Sequence, residues 1–449
     1  MRAGGNNVAS SFIYTLGVQS LHFETVGATL RATDTSRAFM PTSPSNGWLS
    51  EEMLIPDMCI HQERVSNGSP VAPEICYASN PARGDGHFYS QDPGVAFNSS
   101  SILPPLKFNS ENGVESYASL KPLSTVTSAA DRWIGSSQTS FRERAGRDQY
   151  DKWGLTQLQW VSYHFGDAPV AAANVSTSPP AAFERFLVLS QLAAGLGLRG
   201  MVEQFRLQKK SVEGGGTMGH LIWQLQDNWP GQSFGLLNYG GEWKQQLHFV
   251  RRGYAPLLLT GAGPLLAENI SVHLISDIPS ELGHCEVEAA LWDLSSHSSR
   301  PAQLWSAVVA QVAPGGVAEA LQVPRNRLTP TNFLRMTAHC AGNVSAENDY
   351  FAGPFAASRR VLRDPRFHTA DWALDGASCS FTLECEAPAL FVVLDSMGEF
   401  QPGRFSDGAF AMVAGERKVL SYTPAGGKVC ELSEMRAELA VSSLYNLLD

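Results

Sequence analysis

The sequence has few charged residues for its length, and basic residues are scarcer than acidic ones. Only 17% of the 449 residues are charged, and 33 Lys and Arg are set against 43 Asp and Glu, which gives a net charge of −10 at pH 7. A nucleic-acid partner requires a basic surface that neutralises phosphates, so this class of partner is not expected. Hydrophobic residues make up 43% of the chain, enough for folded cores, and the length predicts two or three domains.

The sequence also lacks long apolar runs and closely spaced cysteine pairs. Stretches such as APLLLTGAGPLL, residues 255–266, are interrupted by Gly and Pro, so no membrane span is predicted. The seven cysteines form no CxxC motif, and we find no metal-ligand spacing, phosphate-binding loop or Ser-His-Asp order. The sequence therefore implies neither a metal nor another cofactor.

The start of the chain lacks a basic region followed by a sustained apolar run, so it is not interpreted as a signal peptide. Asn-x-Ser glycosylation sequons are nevertheless present and would suit a secreted or lysosomal glycoprotein. There are five of them, at Asn67, Asn98, Asn174, Asn269 and Asn343.

Cysteine spacing restricts the possible disulfides. Cys379 and Cys385 lie in one strand-like run, where a rise of about 3.3 Å per residue would hold them roughly 20 Å apart. We therefore expect no bond between them. Cys59 and Cys76 flank a loop rich in Pro, Ser and Gly, and form either a disulfide or two free thiols.

The residue pattern divides the chain into an α/β part and two all-β modules. Up to about residue 255, short strand-like segments alternate with helix-like ones, which favours parallel strands. Apolar residues at helical spacing predict one long helix within residues 180–210 and another just before Pro256. From Pro256 onward, repeated strand patterns predict a first β-sandwich that ends near Pro365 and a second one after it. The predicted strands of the first part are RAFMPTS (37–43), GDGHFYS (84–90), LKFNS (106–110) and HLIWQLQ (220–226).

The most distinctive segment, residues 216–249, places aromatic and hydrogen-bonding side chains together after a strand. These residues are Trp223, Gln224, Asp227 and Trp229. An indole can stack on the apolar face of a sugar while Asp and Gln bind its hydroxyls. Aromatic residues at a strand end are also commonly part of the hydrophobic core, so the residues alone are compatible with a sugar site and with a purely structural role.

This segment resembles the last barrel strand and following helix of the β-mannosidases of glycoside hydrolase family 2, in particular the lysosomal type. Three earlier stretches are similar to the fifth, sixth and seventh strands of the family: DTSRAFMPTSPSNG (34–47), GDGHFYS (84–90) and LKFNSENG (106–113). PGRFSDGAFAMVAGERKVLSY (402–422) resembles its carboxyl-terminal Ig-like module. The resemblance implies α/β plus all-β architecture: the carboxyl-terminal half of a TIM (β/α)8 barrel over 1–255, an Ig-like β-sandwich over 256–365 and a mannosidase Ig-like domain over 366–449.

The resemblance implies a retaining glycoside hydrolase, without a cofactor, that removes terminal non-reducing β-D-mannose from oligosaccharides or glycoproteins. Such an enzyme uses a nucleophilic carboxylate and an acid/base carboxylate about 5 Å apart. By position, Glu111 is the nucleophile. Ser110 and Gly113 match the family, whereas Asn112 replaces an aromatic residue.

Further site residues follow from the same resemblance. Trp223 is expected to be the sugar platform, and Asp227, His87 and Tyr89 are expected to shape the substrate subsite. For His87, a structural role is an equal alternative.

The acid/base of the family is the Glu of a Trp-x-Gly-Asn-Asn-Glu run. Here GNN, residues 5–7, matches either that run or nothing more than chance, and the next residue is Val8, which cannot donate a proton. Glu115 lies in the loop after the strand, at a family position that is not acidic, so it is not expected to be the second carboxylate. The sequence thus predicts either a chain truncated at its amino-terminal end or an inactive homologue that binds glycans or a protein partner.

Overall fold

The computed structural model describes residues 25–36, 43, 64–66, 69–71, 85–104, 106–142, 151–210, 216–264, 266–396 and 403–448. The chain divides into two compact units. The first comprises Met1–Tyr89, Leu103–Gly113 and Gln208–Trp223, and the second Ser90–Ile102, Val114–Leu207 and Gln224–Asp449. The helices of the described residues are α1 (Ala28–Thr33), α2 (Val95–Ile102), α3 (Leu120–Ser124), α4 (Ser137–Phe141), α5 (Asp151–Phe165), α6 (Asp167–Ala173), α7 (Pro180–Leu207), α8 (Gln245–Gly253), α9 (Leu432–Glu438) and α10 (Leu444–Leu447).

The first unit contains helix α1, a short hairpin and a three-stranded parallel sheet. The hairpin pairs β1 (Arg64–Ser66) with β2 (Ser69–Val71). The parallel sheet has the order β3-β4-β5, formed by Gly86–His87, Asn109–Asn112 and His220–Ile222. The predicted parallel pairing is confirmed.

Gly219, just before β5, leaves room for the ring of Phe108, the residue just before β4. A Cβ atom at Gly219 would lie 2.1 Å from the ring of Phe108. The carbonyl of Gly219 instead accepts a hydrogen bond from the Asn109 N–H at 2.9 Å. A side chain at position 219 would therefore require the Phe108 ring to move.

The strands of this sheet are shorter than the sequence predicts, and β4 is shifted. GDGHFYS pairs only at residues 86–87, HLIWQLQ only at 220–222, and the strand predicted at 106–110 runs instead from 109 to 112. HLIWQLQ is interrupted because its second half pairs elsewhere: the Gln224 N–H donates to Phe234 O, and the Leu237 N–H donates to Leu225 O. Of RAFMPTS, only Ser43 lies within the described residues.

The second unit is organised around α7, the long helix predicted from apolar spacing. It begins at Pro180, a residue that suits a first helical position because its missing N–H has no partner there anyway. Helices α2, α5 and α8 pack against it. Helices α5 and α7 approach closely, because a Cβ atom at Gly197 of α7 would lie 2.2 Å from the ring of Trp160 of α5. The second predicted helix is also confirmed, as α8.

Helix α7 also has the length and apolar composition of a membrane-crossing helix. However, 78% of its most apolar window is buried inside the protein, as it is in the core helix of a folded domain. The absence of a membrane span therefore stays a prediction.

Residues 257–350 of the second unit form two antiparallel sheets around a shared apolar core. The disulfide Cys285–Cys340 joins partner positions of β8 and β11. One sheet has the order β10-β7-β6 and the other β12-β11-β8-β9, from β6 (Leu257–Ala262), β7 (Asn269–Ser276), β8 (Leu282–Asp293), β9 (Gln303–Val312), β10 (Val317–Pro324), β11 (Asn332–Cys340) and β12 (Val344–Tyr350).

Residues 368–442 form a second pair of sheets with a core of their own. One sheet has the order β13-β14-β18-β16 and the other β17-β15-β19. The strands are β13 (His368–Asp375), β14 (Ser378–Glu384), β15 (Ala389–Ser396), β16 (Gly403–Phe405), β17 (Phe410–Met412), β18 (Arg417–Pro424) and β19 (Leu439–Ser442).

Within this pair of sheets, Cys379 forms a disulfide with Cys430, and Cys385 is a buried free thiol. The expectation that Cys379 does not bond Cys385 is confirmed. Cys59 and Cys76 lie outside the described residues.

Candidate functional site

Glu111 lies on β4 of the first unit and contacts two side chains from the segment that contains β3. The Tyr89 hydroxyl donates a hydrogen bond to Glu111 Oε1 at 2.5 Å. The Nδ1 atom of His87 lies 3.6 Å from Glu111 Oε2. The carboxylate is thus held at one oxygen by a phenol, while its other oxygen faces an imidazole. The Glu111 side chain is 27% exposed and so remains accessible to a ligand.

Strand geometry brings His87 and Tyr89 to Glu111. Side chains alternate between the two faces of an extended segment, so His87 and Tyr89 share one face, together with Asp85. The pairing of His87 with Glu111 and a hydrogen bond from the Phe88 N–H to Glu111 O at 3.0 Å align the two segments. In parallel sheets the carboxyl ends of the strands are where ligands commonly bind.

Behind His87 lies a buried carboxylate that the sequence analysis did not select. Asp85 is 6% exposed, and its Oδ2 accepts hydrogen bonds from Ser43 Oγ at 2.6 Å and Ser110 Oγ at 2.5 Å. Ser43 Oγ is also 2.9 Å from His87 Nε2. The available signal was the alternation Asp-x-His-x-Tyr at residues 85–89, which places all three polar side chains on one face.

Asn112, where the resembled family has an aromatic residue, is fully buried. Its side-chain amide is hydrogen-bonded to the Nε2 atom of His220 on β5. Burial lowers the pKa of His220 to about 3, so this ring is neutral at ordinary pH. A neutral, buried polar pair therefore connects β4 with β5.

Trp223 directly follows β5, and its backbone N–H donates to Asn112 O at 2.6 Å. The side chain is 41% exposed. An exposed indole at this place is available for stacking against a ligand.

Asp227 belongs to the second unit and has a different environment. It is 1% exposed, its Oδ2 lies 2.8 Å from Lys244 Nζ, and its Oδ1 accepts from the Gly235 N–H at 3.1 Å. Lys244 is itself fully buried and also donates to Ser116 Oγ at 3.3 Å. Burial lowers the pKa of Lys244, and the Asp227 carboxylate opposes that shift. Asp227 is thus half of a buried ion pair, and its contact with a sugar stays a prediction.

Glu115 also belongs to the second unit. It is 5% exposed, and its Oε2 accepts a hydrogen bond from Gln157 Nε2 at 3.0 Å. In the described part of the first unit, the carboxylates besides Glu111 are Asp85 and Asp34, which is exposed and accepts from Ser36. The described residues contain no cluster of three or more His, Cys, Asp or Glu that could hold a metal ion.

Comparison with known proteins bears on this site. The family model Ig_mannosidase, an Ig-fold domain, matches residues 362–447. The β-mannosidase of Mus musculus is 27% identical over 446 residues, which cover 95% of this chain and 45% of the mouse protein. The chain resembles the β-mannosidases of glycoside hydrolase family 2. The resemblance drawn from the sequence is confirmed.

Two solved structures share the fold of this chain. The β-D-mannosidase of Dictyoglomus thermophilum superposes with a TM-score of 0.61 at 17% identity, over 82% of this chain and 41% of its own. An exo-chitosanase of Amycolatopsis orientalis gives a TM-score of 0.61 at 15% identity, over 80% of this chain and 44% of its own. The chain spans about half the length of the curated β-mannosidases that it matches.

Proposed function

We propose that this chain carries the nucleophile of a β-mannosidase-type retaining glycoside hydrolase that removes terminal non-reducing β-D-mannose from oligosaccharides or glycoproteins. The observation that carries the proposal is the hydrogen bond from Tyr89 to Glu111, because it orients a solvent-accessible carboxylate at the ends of parallel strands. The β-mannosidase names of the relatives support the substrate class.

In the proposed reaction, Glu111 Oε2 attacks the anomeric carbon and the glycosidic C–O bond breaks. The electron pair of that bond goes to the leaving oxygen, which takes a proton from water, and a second water hydrolyses the glycosyl ester to release mannose and regenerate the Glu111 carboxylate. The Tyr89 hydrogen bond engages Oε1, whereas Oε2 lies 3.6 Å from His87 Nδ1 and is the attacking oxygen. Trp223 supplies a stacking surface for the sugar, and His87 lines the subsite. Asp227 shapes the segment after Trp223 through its buried ion pair.

We also propose an assignment of the chain to three domains. Residues 1–255 form the carboxyl-terminal half of a TIM barrel, 256–365 an Ig-like sandwich and 366–449 the mannosidase Ig-like domain. The parallel order β3-β4-β5 supports the first assignment. Lysosomal or secreted location and glycosylation are part of the same proposal, supported by exposed sequon residues at Asn174, Asn269 and Asn343.

The test is pre-steady-state kinetics with an aryl β-mannoside that has an activated leaving group. Such a leaving group needs little protonation, so the nucleophile can be tested without the acid/base. We expect a burst of released phenol that Glu111→Gln abolishes and the matched variant Glu115→Gln retains. A burst that survives in Glu111→Gln contradicts the role of Glu111.

A second candidate is a catalytically inactive homologue that binds glycans or a protein partner. It is favoured by Asn112, which is buried and hydrogen-bonded to His220 where the resembled family has an aromatic residue. This candidate predicts calorimetric binding of a β-mannosyl oligosaccharide that Glu111→Gln preserves, with no burst. Absence of both binding and burst contradicts glycan binding.

A further inference from the structure

Within the first unit, hydrogen bonds join buried Asp85 through Ser43 to His87, and His87 in turn lies beside Glu111. Ser43 Oγ is 2.6 Å from Asp85 Oδ2 and 2.9 Å from His87 Nε2. The other ring nitrogen of His87, Nδ1, faces Glu111 Oε2 at 3.6 Å. His87 therefore connects a serine on one side with the proposed nucleophile on the other.

The positions of the hydroxyl protons determine which nitrogen of His87 carries hydrogen. A serine has one proton to donate, and a carboxylate can only accept. Bonds to a charged acceptor are roughly twice as strong as neutral ones, so the proton of Ser43 points to Asp85. Ser110 donates to the same Asp85 oxygen. The Ser43 oxygen is then an acceptor toward His87, and the bond at 2.9 Å requires a proton on Nε2.

The opposite tautomer makes fewer bonds. With hydrogen on Nδ1, Ser43 would have to turn its proton from Asp85 to Nε2. The Nδ1–H would gain only the Glu111 oxygen at 3.6 Å, which is beyond hydrogen-bond range. The Nε2–H form keeps the hydrogen bonds from Ser43 to Asp85 and from His87 to Ser43, whereas the Nδ1–H form keeps only a bond from Ser43 to His87.

We propose that Ser43 and Asp85 are positioning residues that hold His87 in its Nε2–H tautomer, so that Nδ1 is an acceptor beside Glu111. The inference rests on the proposed function for its chemical meaning. A sugar hydroxyl that lies against Glu111 can donate to Nδ1 instead of to Oε2. The electron pairs of Oε2 then stay available for attack on the anomeric carbon.

The test of the tautomer is independent of activity. Long-range proton–nitrogen NMR correlations on the full chain, recorded at a pH of about 8, distinguish protonated from bare ring nitrogens. The His87 signals are assigned by their loss in His87→Gln. We expect Nε2 protonated in the wild type and a change of about fivefold in the tautomer ratio, toward Nδ1–H, in Ser43→Ala.

The matched control is Ser110→Ala, which removes a hydroxyl that contacts Asp85 and Ser43 but leaves the Ser43 hydroxyl that contacts His87. Its tautomer ratio is expected to stay as in the wild type. Hydrogen on Nδ1 in the wild-type protein, or an unchanged ratio in Ser43→Ala, overturns the inference.

A kinetic readout separates failure of this inference from failure of the proposed function. Ser43→Ala is expected to lower the burst rate with the activated β-mannoside about fivefold, with the burst amplitude unchanged. A wild-type chain without a burst contradicts the proposed function, while the NMR result still decides the tautomer. A normal burst rate in Ser43→Ala, together with a changed tautomer, overturns the stated consequence for Glu111.

Discussion

The replacement His164→Phe should remove part of the acid sensitivity of the second unit. His164 is 0% exposed on α5, within an aromatic group that includes Phe97 at 5.4 Å and Tyr163 at 5.1 Å between ring centroids. Neither ring nitrogen has a hydrogen-bond partner among the described residues. Burial lowers the pKa of His164 to about 3, whereas an unfolded histidine has a pKa near 6.5. The folded ring is therefore neutral over a wide pH range.

The sign of the effect follows from proton binding. Below about pH 6.5 the unfolded chain binds a proton at His164 that the folded chain does not, so the free energy of unfolding falls as the pH is lowered toward 3. At about 1.4 kcal/mol per pH unit, the loss between pH 8 and pH 5 is about 2 kcal/mol. His164→Phe keeps an aromatic ring in the site but cannot take up a proton.

The assay is urea unfolding at pH 8 and pH 5, followed by tryptophan fluorescence. The free energy of unfolding of the wild type should fall between the two pH values by about 2 kcal/mol more than that of His164→Phe. Phe97→Leu is the control, because it disturbs the same aromatic group without removing a titratable side chain. The reasoning is refuted if the wild type and His164→Phe lose the same stability between the two pH values.

Three further predictions concern the ion pair, one disulfide and the site. Lys244→Met leaves Asp227 buried without its cation and should lower the free energy of unfolding by about 3–5 kcal/mol in urea titrations, and adding Asp227→Asn should restore part of it. If the single variant is as stable as the wild type, the pair is not structural. Cys430→Ser removes a disulfide between cysteines 51 residues apart and should lower the free energy of unfolding, measured by thermal denaturation, by about 2–4 kcal/mol. Unchanged stability in Cys430→Ser would contradict this prediction. Tyr89→Phe should lower the burst rate about tenfold, since a hydrogen bond to the charged Glu111 is lost, and an unchanged rate would show that the contact does not orient the nucleophile.

Long, strongly patterned elements could be predicted from the sequence. Helix α7 has apolar residues at helical spacing over many turns and a proline at its start, and both signals act locally along the chain. Helix α8 follows the same rule and has Arg251 and Arg252 in its last turn, where basic residues suit the negative end of a helix dipole. These elements are confirmed because their signals do not depend on distant partners.

Strand limits could not be predicted because they depend on which other segment supplies the hydrogen bonds. The pattern of HLIWQLQ predicts a single strand, yet only its first three residues belong to the parallel sheet. The Gln224 N–H donates a hydrogen bond to Phe234 O instead. The disulfide pairings could not be predicted for the same reason. Cys379 lies on β14 and Cys430 lies 51 residues further along the chain, so their pairing depends on the tertiary fold.

Within the candidate site, Glu111, His87 and Tyr89 were selected through a family resemblance, and the structure brings the three side chains together. Asp85 and Ser43 were missed because their importance arises from a shared hydrogen-bond acceptor, which spacing along the chain does not reveal. An alternating polar pattern shows which side chains share a face. It does not show which distant serine completes the network.

The central claim is that Glu111 is a glycosidase nucleophile, and the most direct measurement is covalent trapping. The full chain is incubated with a 2-fluoro mannosyl reagent that carries an activated leaving group, and the product is analysed by intact mass and peptide mapping. The account predicts one mannosyl adduct, on Glu111, that is absent in Glu111→Gln and present in Glu115→Gln. No adduct in the wild type, or an adduct on a different residue, would contradict it.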